Sequence, residues 1–165
     1  MSLIAAAPPL VRTTPPSDPA PLGTVSVGPW WPEIDLAALR DAVRLDGTIT
    51  PARLVTAVQE AVAATVAQLD AWAQIRKNEG HESLSAVPAL TVDGESVNVQ
   101  RFRRAVYCHA KANLIERYSD YDTTGRERRK DQDEAREDQA EHHRRDATWA
   151  VRDILGVSRT TVELI

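Results

Sequence analysis

Eight of the ten prolines fall at or before residue 32, at positions 8, 9, 15, 16, 19, 21, 29 and 32. Each proline fixes its own φ and removes a backbone donor, so this stretch is barred from helix interiors and central strands. Beyond it only Pro51 and Pro88 remain, and the chain is free to build long helices. Residues 1–32 are therefore expected to form an extended arm that cannot pack as a unit by itself. Up to about residue 28 the arm is expected to be unordered in the free chain and to gain order against a partner. Trp30 and Trp31 stand where arm meets body, and two large aromatics at such a junction are expected to be anchored.

The remaining punctuation marks helix ends. Asp35 can cap a short helix, "DLAALRDAVRL", whose Leu36, Leu39 and Val43 share a face before Gly47. Thr50 followed by Pro51 is a cap and first-turn signal, and Leu54, Val58, Val62, Val66, Leu69 and Trp72 recur every three to four residues up to Gly80. "VDGES" reads as a turn around Gly94. From Ser96, a possible cap, a third helix carries Phe102, Val106, Tyr107, Leu114 and Tyr118 on its core face. "DYDTTG" breaks it, and a fourth helix runs to Gly156. No strand alternation of useful length is present. The expected fold is all-α: four helices near 35–45, 51–79, 96–118 and 127–155, in a body of residues 33–156, followed by a short C-terminal tail, 157–165.

The fourth helix starts as "RERRKDQDEAREDQAEHHRRD", residues 126–146, in which the signs interleave. Mixed signs can pair along a helix, whereas one sign would repel. Arg129 precedes Asp133, Lys130 precedes Glu134 and Glu141 precedes Arg145 by four residues each, the spacing of surface neighbours. This half has too few apolar residues to pack into its own body, so it is expected to project or to line an assembly surface.

Bulk properties narrow the function classes. With 165 residues, 42% of them hydrophobic and 27% charged, the chain has the size and composition of one soluble globular domain. A net charge of −4 makes the whole molecule a poor electrostatic partner for DNA or anionic membranes. The single Cys108 allows no internal disulfide and is expected to be a small buried hydrophobe. No segment is long and apolar enough to span a bilayer. Phosphate loop, nucleophile elbow and dinucleotide fingerprint are all missing. His142 and His143 are adjacent, as are Cys108 and His109, so on a helix the members of each pair point about 100° apart and form no two-ligand face. Nothing here argues for an enzyme, a metal or a cofactor.

Two binding signals remain. Arg101, Arg104 and Lys111 share one face of the third helix, near Arg103 and Arg117, a local basic surface able to face DNA. "ILGVSRTTV", residues 154–162, resembles the turn and opening of a recognition helix, with Gly156 at the turn and Ser158, Arg159 and Thr160 toward a groove. Arg152 occupies the position where that motif prefers alanine. A small helix-turn-helix regulator is therefore the alternative reading.

Taken in order, "WWPEI" (30–34), "RLDGTITPARL" (44–54), "SLSAVPA" (83–89), "VDGESV" (92–97), "RFRRAVYCHAKANLIERY" (101–118) and "ATWAVRDILGVSRTTVELI" (147–165) resemble the head completion proteins of temperate contractile-tailed phages, the type known as head completion protein L. The resemblance implies an all-helical connector subunit in the virion neck, assembled in the host cytoplasm. It implies binding to the portal protein after DNA packaging, closure of the filled head, and a surface for a tail terminator or other neck protein. It further implies self-association in a ring, commonly of twelve, around a lumen where packaged DNA is a possible contact. In that setting Arg159, Thr160, Thr161, Val162, Glu163, Leu164 and Ile165 are expected to dock on the portal or a neighbouring subunit. Arg128, Arg129, Lys130, Asp131, Asp133 and Glu134 are expected to supply charges between subunits or toward the portal.

Overall fold

The computed structural model describes residues 22–45, 48–118 and 129–158, with only the backbone of Tyr118 and of residues 129–133. Thr50 and Pro51 start the longest element as their chemistry requires. The Thr50 hydroxyl accepts from the Arg53 amide at 3.4 Å, and Pro51 occupies the first turn, where no donor is needed. Helix α2 then runs Pro51–Asn78, 28 residues or about 42 Å. Leu54, Val58, Val62 and Leu69 are buried along one face, with Val66 and Trp72 half-covered beside them. Thr65 shares that buried face, and its hydroxyl is satisfied by the Ala61 carbonyl at 2.8 Å. Gly80, at φ 93°, closes the helix: its amide reaches the Lys77 carbonyl and the His81 amide reaches Arg76.

Helix α1, Leu36–Ala42, is capped as expected by Asp35, which accepts from the Ala37 and Ala38 amides at 2.7 and 3.0 Å. It stops well before Gly47. Arg44 adopts φ 50°, its amide bonds the Asp41 carbonyl, and the Leu45 amide bonds Arg40. These are the same closing bonds as at Gly80, formed around a residue with a Cβ. The left-handed conformation costs an L-residue about 1–2 kcal/mol, while glycine adds about 0.5–1 kcal/mol of unfolded-state entropy. Arg44→Gly is therefore expected to raise stability by up to about 1 kcal/mol, visible as a higher urea midpoint; an unchanged or lower midpoint would show that the Arg44 side chain offsets its own strain.

Asp93 and Gly94, at φ 52° and 77°, form a two-residue turn of the kind that joins tight hairpins. It links strands β3, Thr91–Val92, and β4, Glu95–Ser96. Ser96 does not act as a cap. It belongs to β4, its hydroxyl has no partner among the described residues, and the Val97 amide that opens α3 donates to the Leu90 carbonyl at 2.9 Å. Helix α3 spans Val97–Tyr118 and α4 spans Arg129–Leu155. Phe102, Val106 and Leu114 are buried and Tyr107 is half-buried, whereas the Tyr118 side chain lies outside the described residues.

The most extensive helix-to-helix contact joins α3 and α4, with α2 packed on α3. Alanine makes the close approach possible: Ala105, Ala110 and Ala112 of α3, and Ala140, Ala147 and Ala150 of α4, are all buried. Val151 and Ile154 add the aliphatic bulk at the far end of α4.

Strand β1, Thr24–Val25, pairs antiparallel with β2, Ile34–Asp35, and the Leu36 amide bonds the Gly23 carbonyl. Residues 22–32, read from the sequence as the end of the arm, thus lie against the body, with Leu22 and Val25 packed on the core. Residues 1–21 lie outside the described residues. The architecture is mostly α, with four helices and two ladders of two residues per strand among the described residues.

Candidate assembly surfaces

The segment between β1 and β2 inserts both tryptophans into the body. Trp31 stacks on Phe102 of α3, with centroids 5.0 Å apart, and meets Trp30 edge-on at 4.6 Å. Trp30 reaches Trp72 of α2 at 6.3 Å, and its indole nitrogen donates to the His81 carbonyl at 2.9 Å. The Leu84 amide returns a bond to the Trp30 carbonyl, also 2.9 Å. Lys77 lies over the Trp30 ring and Arg76 over Trp72, cation–π contacts that cover the cluster from solvent. The motif "WWPEI" is therefore a structural lock across α2, the loop after it and α3. It positions surfaces without forming one.

The charged half of α4 is exposed over most of residues 134–145, apart from buried Ala140 and partly covered Arg136 and His143. Its charges pair largely across helices. Arg144 bonds Glu116 of α3, and Asp146 lies 3.6 Å from Arg104. The expected Glu141–Arg145 pair is absent. Arg145 instead stacks on Trp149 one turn on, 4.8 Å from the ring centroid, where the planar guanidinium gains an aromatic face. Among the assembly charges read from the sequence, Glu134 is exposed. Arg128 and the side chains of Arg129, Lys130, Asp131 and Asp133 lie outside the described residues, and with them the Arg129–Asp133 and Lys130–Glu134 pairs.

Four basic residues of α3, Arg101, Arg103, Arg104 and Lys111, are engaged by neighbouring groups, and among the described residues exposed Arg117 is not. Arg101 donates to the Asp153 carbonyl at 3.0 Å and Arg103 bonds Glu95 of β4 at 2.8 Å. Arg104 has Asp146, and Lys111 also has an interaction partner. Arg101 and Arg104 thus lie toward α4 and bind it. Cys108 is half-buried rather than fully enclosed, and desolvation raises its thiol pKa.

Burial holds His109 below the ordinary histidine pKa of 6.5, with Arg144 acting in the same direction, and burial also lowers His143. Gln68 Nε2, which donates to the Ala64 carbonyl, lies 3.3 Å from His109 Nε2, a contact that suits the neutral ring as acceptor. With folded pKa values depressed, the unfolded chain binds more protons, so stability is full above about 6.5 and falls as pH drops toward the folded values. His109→Gln is expected to flatten the dependence of the urea midpoint on pH between 7 and 5; an unaltered slope would reject this role for His109.

At the end of α4, Gly156, at φ 71°, permits the Val157 amide to reach the Arg152 carbonyl, and Arg152 donates to the Ser158 carbonyl at 2.9 Å. Arg152, which departs from the helix-turn-helix pattern, here ties down the chain after the helix. The expected docking residues Arg159, Thr160, Thr161, Val162, Glu163, Leu164 and Ile165 lie outside the described residues.

Two surfaces escaped the sequence reading. Between Leu54 and Leu69, α2 carries one charge, Glu60, and its outward Ala63, Ala67 and Ala71 lead to Ile75, 53% exposed. The scarcity of charge in that stretch was a readable signal. The second is the rim before the β3–β4 turn, where Leu90 is 72% and Val92 43% exposed. No helix among the described residues is long and apolar enough to cross a membrane.

The model of the phage head completion protein (GPL) family matches residues 25–165. The "Head completion/stabilization protein" of Escherichia phage P2 is 35% identical over 137 residues, covering 82% of this chain and 79% of that protein. No solved structure matches. The match takes in the tryptophan lock, all four helices and the C-terminal residues, and on this basis the chain belongs to the phage head completion protein family, structural proteins of virion assembly.

Proposed function

We propose that this head completion protein binds the portal once DNA is packaged, closes the filled head and presents the surface on which the tail attaches. The observation that carries the reading is the family match over residues 25–165, joined to the 35% identity with a head completion/stabilization protein. The chemistry of the surface supports it. A ring of like subunits needs two different faces on each copy, and this body offers a charged α4 and a nearly uncharged outer face of α2. In this reading the subunit resides at the head–tail junction of the virion, as a ring of twelve matched to the portal. The regulator alternative gains no support from these observations. The test is complementation: phage lacking the gene are expected to accumulate filled heads without tails, and supplying the chain restores tailed particles. Tailed particles made in its absence would reject the proposal.

Charge between copies is the second component. Exposed pairs within one chain contribute only about 0–1 kcal/mol, so reversing Arg128, Arg129 and Lys130 to glutamate is expected to leave monomer melting nearly unchanged. Assembly is expected to weaken, more at low salt than at high, and reversal of Asp131, Asp133 and Glu134 in the partner copies to restore part of it. Normal assembly of the triple variant at both salt levels would show a solvated helix with no interface role.

A further inference from the structure

Strand β3 has an open side: among the described residues each sheet holds two strands, and nothing pairs with the outer edge of Thr91–Val92. The Leu90 carbonyl accepts from the Val97 amide, so Leu90 turns its backbone groups toward β4, and by alternation Ala89 and Thr91 turn theirs to the open edge, where the Ala89 amide donates no hydrogen bond among the described residues. Leu90, Val92 and their neighbours Ala89 and Thr91 are exposed. Beneath the rim is an open groove of about 530 Å³, with Pro32, Val87 and Val99 in its lining and the Arg103–Glu95 ion pair at its wall. A free strand edge beside a groove of mixed polar and aliphatic lining is a geometry that accepts an added strand: backbone bonds hold it and alternate side chains enter the groove.

The residues after Ser158 fit this site. Arg101 binds the Asp153 carbonyl, so α4 ends beside the first turns of α3, the end from which the β3–β4 hairpin extends. The following sequence, "RTTVELI", is rich in β-branched residues, and Thr160, Val162 and Leu164 alternate onto one side of an extended strand. Seven residues at roughly 3.3 Å each reach about 23 Å. In a ring, copies stand side by side, so a donor and an acceptor at the same end of the molecule can pass a segment laterally from each copy to the next. We propose that the edge Ala89–Val92 receives the segment Thr160–Ile165 of a second copy of this chain. This rests on the ring-subunit reading above.

The test uses virions assembled with a chain carrying Leu90→Cys, Leu164→Cys and Cys108→Ser. Oxidation is expected to give a ladder of cross-linked multimers rising in steps of one 18.2 kDa chain, and none when either introduced cysteine is omitted. Cross-linking confined to single chains would show that the segment docks on its own body, and no cross-linking in particles that contain the chain would remove the segment from this edge; either overturns the proposal. Absence of the unmodified chain from virions would instead overturn the assembly reading itself. A second measurement needs no substitution: exchange of the outward-facing Thr91 amide in the unmodified chain is expected to slow at least tenfold between free protein and assembled particle. Equal rates would overturn the proposal even if the cysteine variant fails to fold.

Discussion

Replacing Trp31 by alanine is expected to cost about 3–5 kcal/mol, the range for deleting a large buried aromatic. Trp31 is 7% exposed and stacks on Phe102, which is fully buried, so the substitution opens space at the centre of the body. It also removes the edge-on contact with Trp30, and such aromatic pairs contribute about 0.5–1.5 kcal/mol each beyond area burial. Against a total stability of about 5–15 kcal/mol, the loss removes between a fifth and the whole of the margin, and a body near the lower end would be left close to unfolding. Trp31→Phe retains an aromatic in the stack and should lose clearly less. Urea denaturation of both variants checks the point: a loss below about 1 kcal/mol for the alanine variant would mean that the segment before Pro32 is dispensable to the body.

Deleting Thr160–Ile165 is expected to have the opposite signature, with little effect on folding and a severe effect on virus production. The last helical turn closes through the Val157–Arg152 and Arg152–Ser158 bonds, all of which the deletion leaves in place. Stability is therefore expected to change by no more than about 0.5 kcal/mol, as for surface changes away from packing and caps. If these residues are the docking segment, the yield of tailed infectious particles should fall to that of phage lacking the gene. Undiminished yield from a folded, truncated chain would reject docking by this segment, whichever surface accepts it.

Trp31 and the C-terminal segment also show how unevenly the sequence disclosed the two kinds of feature. That Trp30 and Trp31 are anchored followed from their size and place. What they anchor to did not, because Phe102, Trp72 and the His81 carbonyl are far away along the chain. The candidate surfaces were legible where a local chemical signal existed, as in the charged run, and hidden where it did not: the exposure of Leu90 depends on the path of a hairpin, and its apolar character alone would suit a core equally well.

By itself the sequence determined the all-α class, the boundaries of α2, the buried faces of α2 and α3, the turn at Asp93–Gly94 and the family. Those features rest on residues within a turn or two of one another: a hydroxyl that caps the amide three residues on, a glycine that takes positive φ, an apolar side chain that recurs on one face. Only the three-dimensional structure decided that α1 ends at Ala42, closed by Arg44 ahead of Gly47, that Ser96 lies in a strand, and that Arg145 takes Trp149 rather than Glu141 from the two neighbours on its own helix. It also decided that Arg101 and Arg104 bind α4. Each of these is a choice among partners of similar local merit. A long cationic side chain such as Arg101 or Arg104 can reach several acceptors from one backbone position, and which one it takes depends on which helix packs close enough to present it.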